Sequence, residues 1–357
     1  MKKIIRKLAL VLLAGGDFGV VRMIDAKKLK KLLKRLAQTD QPDMVLIDKN
    51  ETRLLLSLLV KKDSEKSLLD GDTLQALLWN AIDRDAYVGS LMDGDRFFVK
   101  EALSKRNHHV APMTDEKDVL ALMDALKPVS TDKNMIRLGP KGDGGYLVPD
   151  DLRGIEACFS PGVECISGFE KDCADRGIKV FLADRSVDEA AEQHELFSFT
   201  KKYVGITSND DFMTIDDWVA GSLRGSDGEL MLQIDVEGYE YEIFMGMSQN
   251  LMNRLRIIVA EFHSLNELWN KPFFQLISRV FEKIHQTHTC VHIHPNNCCG
   301  AVSKENIEIP LIMEFTFLRN DRINTALPAE VFPHPLDYDN TENPALPLPP
   351  CWYSIKA

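Results

Sequence analysis

The chain has 357 residues, 45% of them hydrophobic and 27% charged, which is an ordinary globular make-up with length for two domains that each bury a core. A formal net charge of −11 excludes a whole-molecule nucleic-acid binder, because phosphate binding needs a basic footprint. Seven cysteines, an odd number in so long a chain, are no disulfide framework; reduced, mostly buried thiols in a cytoplasmic protein are the simplest account.

The charge is unevenly spread. Up to Arg35, eleven Lys or Arg stand against two Asp, a balance of +9 that leaves about −20 for the remainder. Lys2, Lys3, Arg6 and Lys7 precede an apolar run from Leu8 to Ala14, the outline of a signal peptide. The run falls short of the roughly 20 apolar residues a bilayer span needs, and no small-residue cleavage site follows it cleanly. A surface-lying amphipathic helix fits better. Such a basic front suits a peripheral membrane or glycolipid contact and, equally, a plain solvated helix face.

Residues 24 to about 125 read as helical, from apolar stripes such as Leu29, Leu32, Leu33 and Leu36, then Leu54–Leu59, Leu74–Leu78 and Val119–Leu126. No chemistry is legible there, and His108-His109 reads as a polar loop. Lys127-Pro128-Val129-Ser130 breaks the pattern. The boundary is therefore placed between a helical region over 1–128 and a second domain over 129–357.

In the second domain β-rich runs alternate with helical ones. The pattern predicts strands over Ala157–Ser160, Lys179–Ala183, Met231–Ile234, Ile257–Glu261, Val291–His294 and Leu311–Leu318, with helices over 167–176, 187–197, 239–250 and 272–285. This alternation implies an α/β fold, doubly wound around a mostly parallel sheet. No helical pattern separates the last two strands, so they are expected to pair antiparallel at one edge. The proline-rich tail from Pro333 to Pro350 is expected to run extended over the surface.

In doubly wound sheets the ligand lies beyond the C-terminal strand ends. The first strand ends at Ser160-Pro161-Gly162, where a glycine lets the backbone pass close to a bound nucleoside or carboxylate. The second ends in Asp184, twenty-two positions beyond Gly162, a spacing that suits an acid on ribose hydroxyls. Asp184, or Ser186 beside it, could instead cap a helix. Gln233-Ile-Asp235-Val-Glu237-Gly-Tyr-Glu240 delivers two acids, a glycine and a helix from one apolar strand. The next strand ends in Glu261 and His263, so neighbouring ends should gather Asp235, Glu237, Glu261 and His263 in one cleft. Acids buried there are costly unless they bind something.

The 233–240 segment, preceded by Met213-Thr-Ile-Asp216-Asp-Trp, resembles the signature of the FkbM-type methyltransferases that use S-adenosyl-L-methionine (SAM). Arg137-Leu-Gly-Pro-Lys-Gly-Asp-Gly-Gly-Tyr146-Leu-Val-Pro, Glu261-Phe-His and His292-Ile-His-Pro-Asn-Asn resemble further segments of a branch of that family. The resemblance spans roughly 130–355. It implies a seven-stranded class I methyltransferase (Rossmann-like) sheet with an antiparallel final strand. It also implies O-methylation of a hydroxyl, commonly on a sugar or polyketide, with SAM held by Tyr146, Ser160, Gly162, Asp184 and Asp216. Ser160-Pro-Gly-Val-Glu-Cys departs from the family's acid-x-Gly-x-x-x-Gly turn.

The expected catalytic group is His263 as base, since its unperturbed pKa lies near operating pH, with Asp235 and Glu237 beside it. His263 could also be a hydrogen-bonded scaffold residue. Asp235, Glu237 and Glu261 would suit Mg²⁺ or Mn²⁺, as hard cations favour carboxylates. His292, His294, Asn296, Asn297, Cys298 and Cys299 suggest zinc, but no ligand spacing completes a site, and acceptor binding or turn structure fits them better. Two other functions compete: a nicotinamide-dependent oxidoreductase, which would also use Gly162 and Asp184, and a non-catalytic binding module working through the basic front. Neither gives the acids at 235 and 237 a role. The expected partner is a small-molecule or glycan acceptor.

Overall fold

The computed structural model describes residues 111–163, 166–304 and 306–354. The basic front, its surface helix, the helical stripes before residue 111, His108-His109 and Cys165 lie outside the described residues. The chain divides into two compact units at residues 110 and 111, and the second is described below.

Seven strands form one mixed sheet: β1 (Ala157–Pro161), β2 (Lys179–Ala183), β3 (Phe197–Thr200), β4 (Leu230–Ile234), β5 (Leu255–Phe262), β6 (His288–Pro295) and β7 (Met313–Arg319). Their spatial order is β6-β7-β5-β4-β1-β2-β3. The five from β5 to β3 run parallel, whereas β7 is antiparallel to both β5 and β6. Every residue of β1, β4 and β5 is buried, as expected of central strands covered on two faces.

The helices are α1 (Glu116–Leu126), α2 (Gly168–Ala174), α3 (Ile215–Ser222), α4 (Glu240–Gly246), α5 (Gln249–Arg254) and α6 (Lys271–His285). One sheet face is covered by α1 and α3 to α6. The other is covered by α2 and a hairpin of Met135–Leu138 with Tyr146–Pro149. In α6 the buried Ile277, Val280, Phe281 and Ile284 follow the i, i+3, i+4, i+7 stripe of a helix lying on a sheet. Val119, Leu122, Met123 and Leu126 give α1 the same stripe. Although α1 precedes the expected boundary at 128, its stripe joins Phe159 and Leu232 in the sheet's own core.

Two expected elements differ. Residues 187–196 are bends and a turn, not a helix, and lead into β3, a strand missing from the sequence reading. The Glu189-Ala-Ala-Glu run favours a helix, but Ser186 N–H and hydroxyl donate to Asp184 Oδ1, and Leu196 N donates to His194 Nδ1. Local propensity yields to such side-chain turns. The helix expected over 239–250 is two helices, because Ser248 Oγ accepts from Leu251 N and starts α5. Among the described residues no helix is long and apolar enough to cross a membrane, and no cysteine is disulfide-bonded. Three of those six thiols are buried, Cys158, Cys173 and Cys290.

Candidate active site

Strand order reverses between β1 and β4, which opens a crevice at their C-terminal ends. Beyond β4 come Asp235, Val236 and two residues of positive φ, Glu237 (54°) and Gly238 (102°). These reverse the chain and throw the Glu237 carboxylate, 86% exposed, over the crevice. Fully buried Glu240 opens α4, and its Oε1 accepts from Val236 N and Gly238 N, both at 3.1 Å. The same oxygen lies 3.1 Å from His263 Nδ1.

His263 sits just past β5, where its carbonyl accepts from Tyr241 Oη at 2.7 Å. Its Nε2 faces Glu237 Oε2 at 3.4 Å, Glu261 Oε1 at 3.8 Å and Asp235 Oδ1 at 3.9 Å. The cleft expected from the sequence is therefore assembled. Burial works against charging His263, but the Glu240 hydrogen bond and the charges of Glu240, Asp235 and Glu237 outweigh it and raise its pKa. Burial pushes the Asp235 and Glu261 carboxyls up. For Asp235 this holds although 27% of its side-chain surface still meets solvent. Three buried oxygens here, Asp235 Oδ1, Glu240 Oε2 and Glu261 Oε2, accept no hydrogen bond from the described residues. Unpaired buried oxygens mark a place where a ligand brings donors or positive charge.

Of the carboxylates offered for a metal, Asp235, Glu237 and Glu261, two stand with His263 in a group that could hold an ion. Asp235, Glu237 and His263 place one ligand atom each within 4.8 Å of one another. Glu261 is instead tied to Asn296 Nδ2 at 3.0 Å. Its cross-strand neighbour on β7 is Glu314, which in turn pairs with His294 on β6, so three ionisable side chains form a row across the sheet.

The residues expected to hold the cofactor scatter more. Tyr146, on the hairpin, is buried against the Phe169 ring. Burial and then the charges of Asp235, Glu261 and Glu314 raise its pKa. Asp184 closes the turn at Ser186 rather than capping a helix, and stands at the end of β2. Ser160 Oγ lies 2.5 Å from both Glu170 Oε1 and Gln233 Oε1. Ser160 donates to Glu170, whose carboxyl burial pushes up to about 7, and the Gln233 amide completes the bond on its other side. Ser160 thus fastens β1 to β4 and α2. A Cβ on Gly162 would lie 1.6 Å from Asp235 O, so this glycine makes room for the neighbouring main chain. Asp216 engages both carboxylate oxygens with Ser248 and ties α3 to α5, leaving it outside the cleft group.

His292 and His294 serve the tail. His292 Nε2 lies 2.9 Å from Asp337 Oδ1, and His294 Nδ1 lies 3.6 Å from Asp337 Oδ2. Asn297 bonds Thr341 and Asn343, and Asn340 Nδ2 bonds Glu314 Oε1 at 2.7 Å. The tail is thereby strapped beside the crevice, which accounts for the histidine and asparagine run without zinc. Sequence reasoning missed Glu240, Glu314, Asn340 and Asp337. Only Glu240 left a signal, its place in the 233–240 motif.

Residues 99–288 match the family described as the methyltransferase FkbM domain, just over half of the chain. The match contains β1 to β5 and α1 to α6 and ends where β6 begins. No curated protein matches the chain.

Proposed function

The chain belongs to the FkbM methyltransferase family, and on that premise we propose that it transfers a methyl group from SAM to a hydroxyl, on a sugar, glycan or related natural product. The observation that carries this reading is the gathering of His263, Asp235, Glu237 and Glu261 at adjacent strand ends, with the buried Asp235 Oδ1 and Glu261 Oε2 among the oxygens left to pair with a ligand.

Asp184 at the end of β2 stands where a ribose would be held, and the charges of Asp235 and Glu261 reach Tyr146. The β1 turn fits a cofactor less well, because Gly162 N already donates to Ala183 O. SAM, when bound, supplies an electrophilic methyl carbon. The protein's part is to align the acceptor oxygen with it and take the hydroxyl proton. His263 Nε2 receives that proton, and the surrounding carboxylates stabilise the imidazolium that forms. Asp235 and Glu261 accept hydrogen bonds from the acceptor and orient it.

The compact set of Asp235, Glu237 and His263 would alternatively hold Mg²⁺ or Mn²⁺, which would take His263 Nε2 as a ligand in place of its role as base and would supply Lewis acidity toward the acceptor oxygen. The protein would work in the cytoplasm, with the basic front providing any membrane or glycolipid contact.

Calorimetric titration with S-adenosylhomocysteine tests the cofactor. Micromolar binding that Asp184→Ala weakens tenfold or more, about 1.4 kcal/mol, is expected. No binding with or without Mg²⁺ would sink the reading.

A further inference from the structure

We infer that Glu240 is the positioning residue of this cleft: it holds His263 in the Nδ1–H tautomer and turns the Nε2 lone pair toward the reacting groups. Glu240 Oε1 already acts as an acceptor, from Val236 N and Gly238 N, so the ring nitrogen 3.1 Å from it is the one that carries a hydrogen. In the neutral ring the lone pair then lies on Nε2. That nitrogen faces three carboxylate oxygens, of Glu237, Glu261 and Asp235, at 3.4 to 3.9 Å. A lone pair aimed at three carboxyl oxygens is repelled unless a carboxyl proton, held by buried Asp235 or Glu261, or another electropositive group lies between them. A hydroxyl hydrogen or a divalent cation meets that need.

The same oxygen does a second job. By accepting from Val236 N and Gly238 N it fixes the loop whose positive-φ residues carry Glu237 over His263. One buried carboxylate therefore sets both the orientation of the imidazole and the place of the exposed acid above it. Free histidine in water prefers the opposite tautomer, so the arrangement is imposed by Glu240 and not intrinsic to the ring. A carboxylate hydrogen-bonded to one imidazole nitrogen is a general device for making the far nitrogen a base or a ligand. Glu237 and Glu261 cannot substitute, since they face the other ring edge.

The assignment rests on reading the cleft as the transfer site, but its test uses no turnover. Histidine of the full chain is labelled with ¹⁵N and long-range ¹H–¹⁵N spectra are recorded at a pH where the ring is neutral, with His263→Gln identifying the resonance. The native protein is expected to show Nδ1–H. Glu240→Gln, which keeps an acceptor oxygen, is expected to retain that tautomer. Glu240→Leu, which fills similar space without an acceptor, is expected to move the ring to Nε2–H with a native circular dichroism spectrum. A native ring in the Nε2–H form overturns the proposal even if Glu240→Leu does not fold, as does a folded Glu240→Leu with the tautomer unchanged. Failure to bind S-adenosylhomocysteine would leave these spectra unaffected, so the two readings fail separately.

Discussion

Replacing Gly162 with alanine separates two accounts of the turn after β1. Gly162 has φ of 84°, and its added Cβ would lie 1.6 Å from Asp235 O and 2.7 Å from Asp235 C. Gly177 has nearly the same φ, 82°, with nothing within 4 Å of its Cβ position. Gly177→Ala therefore reports conformational strain alone, about 1–2 kcal/mol. Gly162→Ala adds an overlap that only separation of the β1 and β4 ends by roughly 2 Å relieves, given the bulk of a methyl group. That separation breaks Asp235 N to Pro161 O (3.3 Å), worth about 1 kcal/mol. It also disturbs the packing around Leu232, so a total of at least about 3 kcal/mol is expected. Urea unfolding of both variants, followed by tryptophan fluorescence, measures the difference. If Gly162→Ala unfolds within about 1 kcal/mol of Gly177→Ala, the close approach is not what requires the glycine. A stable Gly162→Ala that has lost S-adenosylhomocysteine binding would instead support a ligand-facing role.

Asp337→Asn should loosen the tail, because the native carboxylate is 3% exposed, pairs with His292 and His294 and accepts from His334 N; a loss of about 2–4 kcal/mol is expected. Burial opposes the charge on His294, but Asp337 and Glu314 raise its pKa, so its share is complete below about 6.5 and fades as pH rises through the higher folded value. The stability gap between native and variant protein should thus narrow between pH 6 and pH 9; a constant gap would show that the ion pair contributes nothing. Glu170 behaves oppositely: with its folded value near 7 against a reference of 4.5, the folded chain keeps a proton that the unfolded chain releases. Stability should fall by up to about 3 kcal/mol as pH rises from 4.5 to 7, and Glu170→Gln should flatten that slope; equal urea midpoint differences between pH 5 and pH 8 in the two proteins refute it.

The alternation of apolar strands and helices, and the acids placed after them, were legible because central parallel strands are buried on both faces and their chemistry begins where they stop. Leu230–Ile234 followed by Asp235, and Leu255–Phe262 followed by His263, obey that rule, so Asp235, Glu237, Glu261 and His263 could be gathered from sequence alone. The half-exposed edge strand β3 could not, since four residues of mixed polarity between turns resemble the end of a helix.

Other features depend on contacts that linear order does not encode. Asp216 looks like a motif acid but spends its carboxylate on Ser248, 32 residues away. Gly162 looks like a ligand turn, and its Cβ position is filled by the main chain of β4's end. Glu314 joins the acidic row only because β7 inserts antiparallel beside β5 and brings it opposite Glu261. Sequence determined which residues could carry the chemistry, through strand periodicity and the local cost of burying acids. Tertiary structure decided which of them meet, because hydrogen-bond partners and cross-strand neighbours are set by register and packing over distances that no local pattern records.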